Sequence, residues 1–203
     1  LVMGCDTTGV EPDFAIVKFK KLAGGGYMKL TNGALEEALT NLGYSESKVE
    51  DIRDYVLGEP IGKGHTEGIH HGDLLRAGYD AATIQGWDEA LLTAFDPSFV
   101  LPVEELTAKF GADRVRAFLL DVGGRGTVEG APHLDPEHYA IFDCANRCGK
   151  RGTRFISPYG HLKMMAATQP FISGSISKTV NLPAEADIET FSDLYWKAWK
   201  WAV

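Results

Sequence analysis

The chain has 203 residues, 44% of them hydrophobic and 24% charged, with a formal net charge of -8. This composition is typical of a globular domain with an apolar core and does not favour disorder. The negative charge argues against nonspecific binding to nucleic acid or to an anionic membrane surface, because both are negatively charged themselves.

Membrane and secretory signals are not found in the sequence. No apolar stretch approaches the roughly 20 residues that a membrane helix needs, and the first residues do not form a signal peptide. Three cysteines, Cys5, Cys144 and Cys148, are too few and too odd in number for a secreted disulfide scaffold, so we expect a reducing, cytoplasmic setting. The sequence starts without Met and stops within a helical pattern, and we expect both ends to be cuts through a longer polypeptide.

The first 42 residues predict mixed structure. Residues 6–11 form a turn-rich loop, and residues 14–22 combine strand-like and helical apolar spacing before three glycines interrupt the element. Residues 27–31 alternate apolar and polar side chains, which predicts a short strand. The apolar spacing of residues 33–42 predicts a helix that Gly43 ends.

The middle of the chain, residues 43–135, is predicted to be helical and contains repeats. The pair Gly43-Tyr44 precedes an amphipathic helix, and Gly78-Tyr79 precedes another with apolar residues at the same offsets. An EGxxH string occurs at residues 67–71 and again at 129–133. We interpret this part as a duplicated helix–turn unit rather than as a solenoid.

The last part, residues 136–203, contains an apolar segment at 139–145 and a basic turn at 147–154. A helix is predicted over 161–168, ended by Pro170, and alternation over 171–180 predicts a strand. From Ile188 onward, apolar residues follow a helical period to the end of the chain.

Three strings in the sequence resemble the cobalamin-dependent class of ribonucleotide reductases. DTTGVEPDFAIVKFKKLAGGG (residues 6–26) is similar to the segment that follows the substrate-phosphate loop of that family. EGAPHLDPEHYAIFDCANRCG (129–149) resembles the family's insertion and its return to the barrel, and HLKMMAATQPFISGSISKTVNLP (161–183) its late barrel helix and strand. The likeness extends over essentially the whole chain.

The resemblance implies an α/β fold in which the chain is a helix-rich fragment of a ten-stranded α/β barrel with a helical insertion. Residues 1–42 would be a barrel segment, 43–135 the insertion, and 136–203 the late barrel strand and helices. The intact enzyme would reduce ribonucleotides to deoxyribonucleotides by radical chemistry, with adenosylcobalamin as cofactor and a dithiol as reductant. The family's finger-loop cysteine motif is not in this sequence, so we expect the chain alone to be catalytically silent, with no catalytic and no metal-binding residues of its own.

Two other functions are compatible with the sequence. The chain could be a stand-alone cobalamin-binding module or an accessory split subunit without catalysis. It could also be a small zinc protein, since Cys144 and Cys148 form C-x3-C and His133 and His138 lie upstream; buried thiols are the alternative interpretation. A further candidate metal site consists of Glu67 and the histidines at 65, 70 and 71. The alternative is that these histidines are structural or simply exposed.

Two groups of residues are candidates to lie near substrate or cofactor. Asp6, Thr7, Thr8 and Glu11 would directly follow the phosphate loop implied by the resemblance; an Asx-type turn with a helix cap is the alternative. The second group is three small residues on one face of the predicted late strand, which could leave room in the barrel or allow tight helix packing: Ser173, Ser175 and Ser177.

The basic cluster at 147–154 suits anion contacts, although a solvated turn is the alternative. Because a barrel fragment exposes strand edges and apolar faces, we also expect self-association or a homo-oligomer.

Overall fold

The computed structural model of the chain describes residues 9–23, 27–61, 63, 68–93, 96 and 98–203. These residues form two antiparallel strands, Val17–Lys21 (β1) and Tyr27–Thr31 (β2), in which Phe19 is opposite Lys29. They also form eight α-helices: Ala34–Asn41 (α1), Glu46–Leu57 (α2), His71–Arg76 (α3), Ala81–Asp88 (α4), Val103–Phe110 (α5), Ala112–Gly123 (α6), Pro158–Thr168 (α7) and Ile188–Lys200 (α8). A π-helical turn, Glu89–Thr93, extends α4, and short 3-10 helices occur at Pro136–Phe142 and Gln169–Phe171.

The repeated Gly-Tyr spacing corresponds to a repeated local structure. Gly43 and Gly78 both have positive φ, 88° and 95°, directly after α1 and α3. Each following tyrosine donates its amide to the leucine carbonyl five residues earlier, Tyr44 to Leu39 (3.2 Å) and Tyr79 to Leu74 (3.1 Å). The two turns therefore end α1 and α3 in the same way. The next helix, α2 or α4, begins at the same number of residues after the glycine in both cases.

The carboxyl-terminal ends of α2 and α6 meet in a reciprocal contact. The amide of Glu59 donates to the carbonyl of Asp121 (2.8 Å), and the amide of Arg125 donates to the carbonyl of Tyr55 (3.0 Å). A Cβ on Gly124 would lie 2.3 Å from the carbonyl carbon of Leu57, so only glycine permits this approach. The end of each helix thus donates one backbone hydrogen bond to the other and accepts one from it.

Two apolar clusters stabilise these described elements. One lies under the hairpin and includes the fully buried Leu39 and Ile52. The other lies among α3 to α6 and includes Leu74, Leu106 and Phe118, each no more than 2% exposed. Residues three and four apart lie on the same helix face, so each helix contributes a stripe of apolar side chains to one of these clusters.

The second EGxxH string connects distant segments. The carboxylate of Glu129 accepts hydrogen bonds from the amide and hydroxyl of Thr153, both at 2.7 Å, and from the amide of Arg154 at 2.9 Å. Its carbonyl accepts the hydroxyl of Tyr55 at 2.8 Å. In the first copy, Glu67 lies outside the described residues, and His71 begins α3.

The prediction of a strand over residues 171–180 was wrong for this chain. A 3-10 turn ends at Phe171, and no ladder hydrogen bonds form in the segment that runs from there to Asp187. A strand requires a neighbouring strand for its backbone groups, and the only sheet of the described residues is the β1–β2 hairpin. The helix-rich character is confirmed, whereas the described residues contain two strands and not ten.

Other local predictions fit the structure closely. The helix predicted over 33–42 is α1, and the terminal apolar stripe forms α8. The helix predicted over 161–168 begins earlier, at Pro158, because the Ser157 side chain accepts the amide of Gly160 at 3.2 Å and caps the first turn. No helix in the described part of the chain combines the length and hydropathy that crossing a membrane requires.

Candidate functional site

The segment near the amino terminus contacts the segment that follows α7. The Nζ of Lys178 donates to Oε2 of Glu11 at 2.8 Å, and the amide of Thr179 donates to Oε1 at 3.0 Å. The Lys178 side chain is only 2% exposed and that of Glu11 is 32% exposed. Burial raises the pKa of Glu11, but the bonds from Lys178 and Thr179 outweigh it and hold the pKa below its ordinary 4.5. The carboxylate therefore stays ionised beside the buried ammonium group.

A buried histidine lies close to this ion pair. His161, on the first turns of α7, is 2% exposed, and neither ring nitrogen has a hydrogen-bond partner among the described residues. Burial lowers the pKa of His161 from its ordinary 6.5, and the positive charge of Lys178 lowers it further, while Glu11 opposes them. The imidazole is therefore neutral at pH 7 and can accept or donate one proton.

A small cavity between α7 and α8 connects with this cluster. Its volume is about 230 Å³, and Lys178 is the one charged group among the described side chains that line it. Its walls are apolar, with Leu162 from α7 and Leu194 from α8. An ammonium group at the edge of an apolar cavity can orient an anionic or carbonyl-bearing ligand. We name His161, Lys178 and Glu11 together the Glu11 cluster.

The structure separates the two groups of candidate residues. Glu11 lies within the Glu11 cluster, whereas Asp6, Thr7 and Thr8 lie outside the described residues. The second group is solvent-exposed at all three positions: Ser173, Ser175 and Ser177. Their role near substrate or cofactor stays a prediction.

Sequence reasoning missed the side chains that approach Glu11. The alternation over 175–180 is retained in the extended segment, which exposes the serines and turns Lys178 inward. A period of two residues places Lys178 on the opposite face from the serines, and this is the signal from which its inward position could have been inferred. Nothing in the sequence distinguished His161 from an exposed helix residue.

The basic cluster at 147–154 is divided in the structure. Arg147 forms an ion pair with Glu185, and Arg154 forms a bidentate pair with Asp143 at 2.9 and 2.8 Å. The two remaining basic residues of the turn line a separate, larger cavity: Lys150 and Arg151.

The candidate metal ligands are not assembled into one site. Cys144 and Cys148 are buried free thiols, His133 lies 3.2 Å from Asp51, and His138 is bonded to Tyr44 at 2.7 Å. In the part of the chain that can be described, no group of three or more metal-binding side chains comes together. His65 and Glu67 lie outside that part.

Comparison with known proteins gives a consistent result. A family model described as "Ribonucleotide reductase, barrel domain" matches residues 90–203. A vitamin B12-dependent ribonucleotide reductase of Bradyrhizobium diazoefficiens is 43% identical over 228 aligned positions, covering 100% of this chain and 18% of the relative. The protein of the same name in Agrobacterium fabrum has the same identity and coverage. In Streptomyces coelicolor the identity is 36% over 203 positions, covering 100% of this chain and 14% of the relative. The chain thus spans less than a fifth of the length of these curated relatives.

Proposed function

The chain belongs to the ribonucleotide reductase family, and from that premise we propose that it is part of the catalytic barrel of an enzyme that reduces ribonucleotides to deoxyribonucleotides. The resemblance noted in three sequence strings is confirmed by these matches. In the proposed reaction the ribose 2′-hydroxyl is replaced by hydrogen and leaves as water, while a dithiol is oxidised to a disulfide. The ten-stranded barrel of the intact protein is part of this proposal.

The contact between Glu11 and Lys178 is the structural observation that supports the proposal. It joins the segment expected after the phosphate loop to the segment expected late in the barrel, which are far apart in sequence. Active sites of barrel enzymes are assembled from chain segments that are distant in sequence, and a contact between two such segments is compatible with that arrangement. We propose that the Glu11 cluster supports that mouth, with Lys178 positioning the loop rather than reacting.

We propose adenosylcobalamin as the cofactor of the intact enzyme, because the relatives are vitamin B12-dependent ribonucleotide reductases. The cofactor supplies the radical chemistry. The cavity between the hairpin and α6, about 700 Å³, does not fit the cofactor, because a corrin ring with its side chains and adenosyl group is bulkier than that. No step of the reaction is therefore assigned to residues of this chain acting on the cofactor.

The partners and setting follow from the same proposal. We propose a ribonucleotide as substrate, a dithiol as reductant, and association with further copies of the protein. The buried, free thiols of Cys144 and Cys148 support a reducing, cytoplasmic setting.

The test uses the full-length polypeptide that contains this sequence, assayed for deoxyribonucleotide formation with adenosylcobalamin and a dithiol. We expect turnover by that polypeptide and none by the 203-residue chain alone. Lys178→Met should lower turnover at least about tenfold, because the Glu11 carboxylate loses the buried ammonium group that positions it. The matched control, Lys163→Met, changes an exposed lysine of α7 and should retain activity. A folded full-length polypeptide that reduces no ribonucleotide would overturn the proposal.

A further inference from the structure

Two buried cysteines lie close together in the loop that precedes α7. Cys144 and Cys148 are free thiols, each 4% exposed, and both belong to the apolar cluster under the hairpin. Their side chains hydrogen-bond to each other. The described residues 143–148 form no regular helix or strand, so the chain bends between the two cysteines and brings their sulfur atoms together.

The two thiols have different surroundings. As neutral groups, both can donate to a backbone carbonyl at 3.6 Å, that of Phe142 for Cys144 and that of Asn146 for Cys148. Cys148 also accepts hydrogen bonds from the Cys144 thiol and from the amide of Ile16. These two bonds outweigh burial and hold the pKa of Cys148 below that of an ordinary thiol. The contact with Cys148 raises the pKa of Cys144, and burial raises it further. Loss of one proton therefore leaves a thiolate on Cys148 with a thiol beside it.

A small cavity lies against this pair, between the start of α1 and the residues that precede β1. Its volume is about 260 Å³, and Cys144 and Ile16 are among the residues that line it. Sites for drug-sized ligands have volumes of roughly 300 Å³ or more. The cavity therefore suits molecules not much larger than water, such as hydrogen peroxide.

The loop between the two cysteines contacts the same two segments that form the Glu11 cluster. The amide of Ala145 donates to the carbonyl of Asp13 at 2.8 Å, and the side-chain amide of Asn181 donates to that of Asn146 at 3.2 Å. These partners follow the acid and the lysine of the cluster by two and three residues. A covalent bond across the loop would therefore affect both segments.

We propose that Cys144 and Cys148 are a redox pair, which hydrogen peroxide oxidises to a disulfide and a dithiol reduces again, and that this change reaches the Glu11 cluster. The Cys148 thiolate attacks one peroxide oxygen, the O–O bond breaks, and hydroxide leaves with the proton that Cys148 had released, as water. Cys148 is then a sulfenic acid. The Cys144 thiol attacks its sulfur, the S–S bond forms, and the hydroxyl group leaves with the Cys144 proton as a second water. The pair loses two electrons, and peroxide gains them. The proposal is independent of the reductase activity, because it depends only on the two thiols and their surroundings.

The test treats the folded 203-residue chain with hydrogen peroxide after removal of reductant, with circular dichroism to verify folding. The background is Cys5→Ser, which leaves the pair as the two thiols of the chain. We expect joint loss of both thiols, a Cys144–Cys148 cross-link in peptide mass spectrometry, and reversal by dithiothreitol. The folded chain should react at least about threefold faster than the chain unfolded in urea, because unfolding removes the hydrogen bonds that favour the thiolate. Thiols that serve only in packing would react more slowly when folded, and that result would overturn the proposal.

Single variants separate the roles of the two thiols. In Cys144→Ala, peroxide should give a sulfenic acid on Cys148 that dimedone traps. In Cys148→Ala, the remaining thiol is buried, and it should form the adduct at least about tenfold more slowly. Equal or reversed rates in the two variants would overturn the assigned order of attack.

The amide of Thr179, which donates to Glu11, reports on the Glu11 cluster. Its hydrogen exchange should differ at least about twofold between the dithiol and disulfide forms. The amide of Thr83, which donates to the capping side chain of α4, is the matched control and should not change. An unchanged Thr179 amide, or equal changes at both amides, would overturn the link between the redox pair and the cluster.

Discussion

The Nζ of Lys178 lies 2.8 Å from Oε2 of Glu11, and this ion pair brings the amino-terminal segment onto the loop that follows α7. The pair is asymmetric, since the lysine is almost fully buried and the carboxylate is partly exposed. Removal of the Glu11 charge leaves a buried ammonium group without this ion pair, and that is costly because Lys178 is only 2% exposed.

Glu11→Gln should destabilise the chain by about 2 kcal/mol, less than for a fully buried pair because Glu11 is partly solvated. The free energy of unfolding in urea measures the effect. Glu104→Gln, at an exposed position in the first turn of α5, is the matched control and should change stability by less than about 0.5 kcal/mol. Equal effects of the two changes would show that the pair contributes nothing.

Stability should fall as the pH is lowered from 7.5 to 5.5. The pKa of His161 is lower in the folded chain than its ordinary 6.5, so the unfolded chain binds a proton at a higher pH than the folded chain does. Proton binding therefore favours the unfolded chain as the pH falls. The pKa of Glu11 is also lowered, and its contribution is lost later, as the pH falls below its ordinary 4.5. The expected loss between pH 7.5 and 5.5 is about 1 kcal/mol.

His161→Phe should remove most of that loss, because the apolar ring has no proton to gain. Urea unfolding at both pH values is the measurement. Lys163→Met, the control, changes an exposed residue on the same helix and should leave the pH dependence between pH 7.5 and 5.5 unchanged. The same slope in His161→Phe as in the unchanged chain would contradict the assignment.

Gly124→Ala should prevent folding or cost more than about 4 kcal/mol. Its φ is 66°, and the added Cβ would lie 2.3 to 2.5 Å from the backbone of Leu57 and Gly58. Gly86→Ala in α4 is the contrasting change, because its Cβ meets nothing within 4 Å and alanine favours helix by up to about 1 kcal/mol. Thermal unfolding followed by circular dichroism distinguishes the two. Similar melting temperatures for both variants would disprove the close approach of α2 and α6.

Glu129→Ala should free the segment at Thr153 and Arg154, since its carboxylate accepts three hydrogen bonds from them. We expect a loss of about 2 kcal/mol and faster amide exchange at residues 153 and 154. Glu137→Ala, at an exposed position in the 3-10 helix, is the control. Unchanged exchange at both amides in Glu129→Ala would refute this role.

The chain should self-associate through α8. Ile188, Phe191, Tyr195 and Trp199 are between 50% and 82% exposed on this one helix. Apolar surface of this extent favours burial against another copy. Tyr195→Lys with Trp199→Lys should shift the chain toward monomer in analytical ultracentrifugation, while Lys197→Arg should not. A monomer before any substitution would contradict the prediction.

Local features of the sequence predicted most helices. Glycines after α1 and α3 end those helices, and the Asp80 and Asp187 side chains cap α4 and α8. These signals act between residues a few positions apart, so they can be recognised without knowledge of the fold. Three long strings were also sufficient to indicate the family.

Contacts between distant residues were decided only in the tertiary structure. The strand predicted over 171–180 does not form, because its backbone needs a neighbouring strand that the described residues do not supply. The burial of His161, the pairing of Lys178 with Glu11, and the division of the basic cluster all depend on packing between segments. Sequence periodicity determines which face of an element is apolar, whereas the long-range fold determines what packs against that face. These relationships could therefore not be predicted from the sequence.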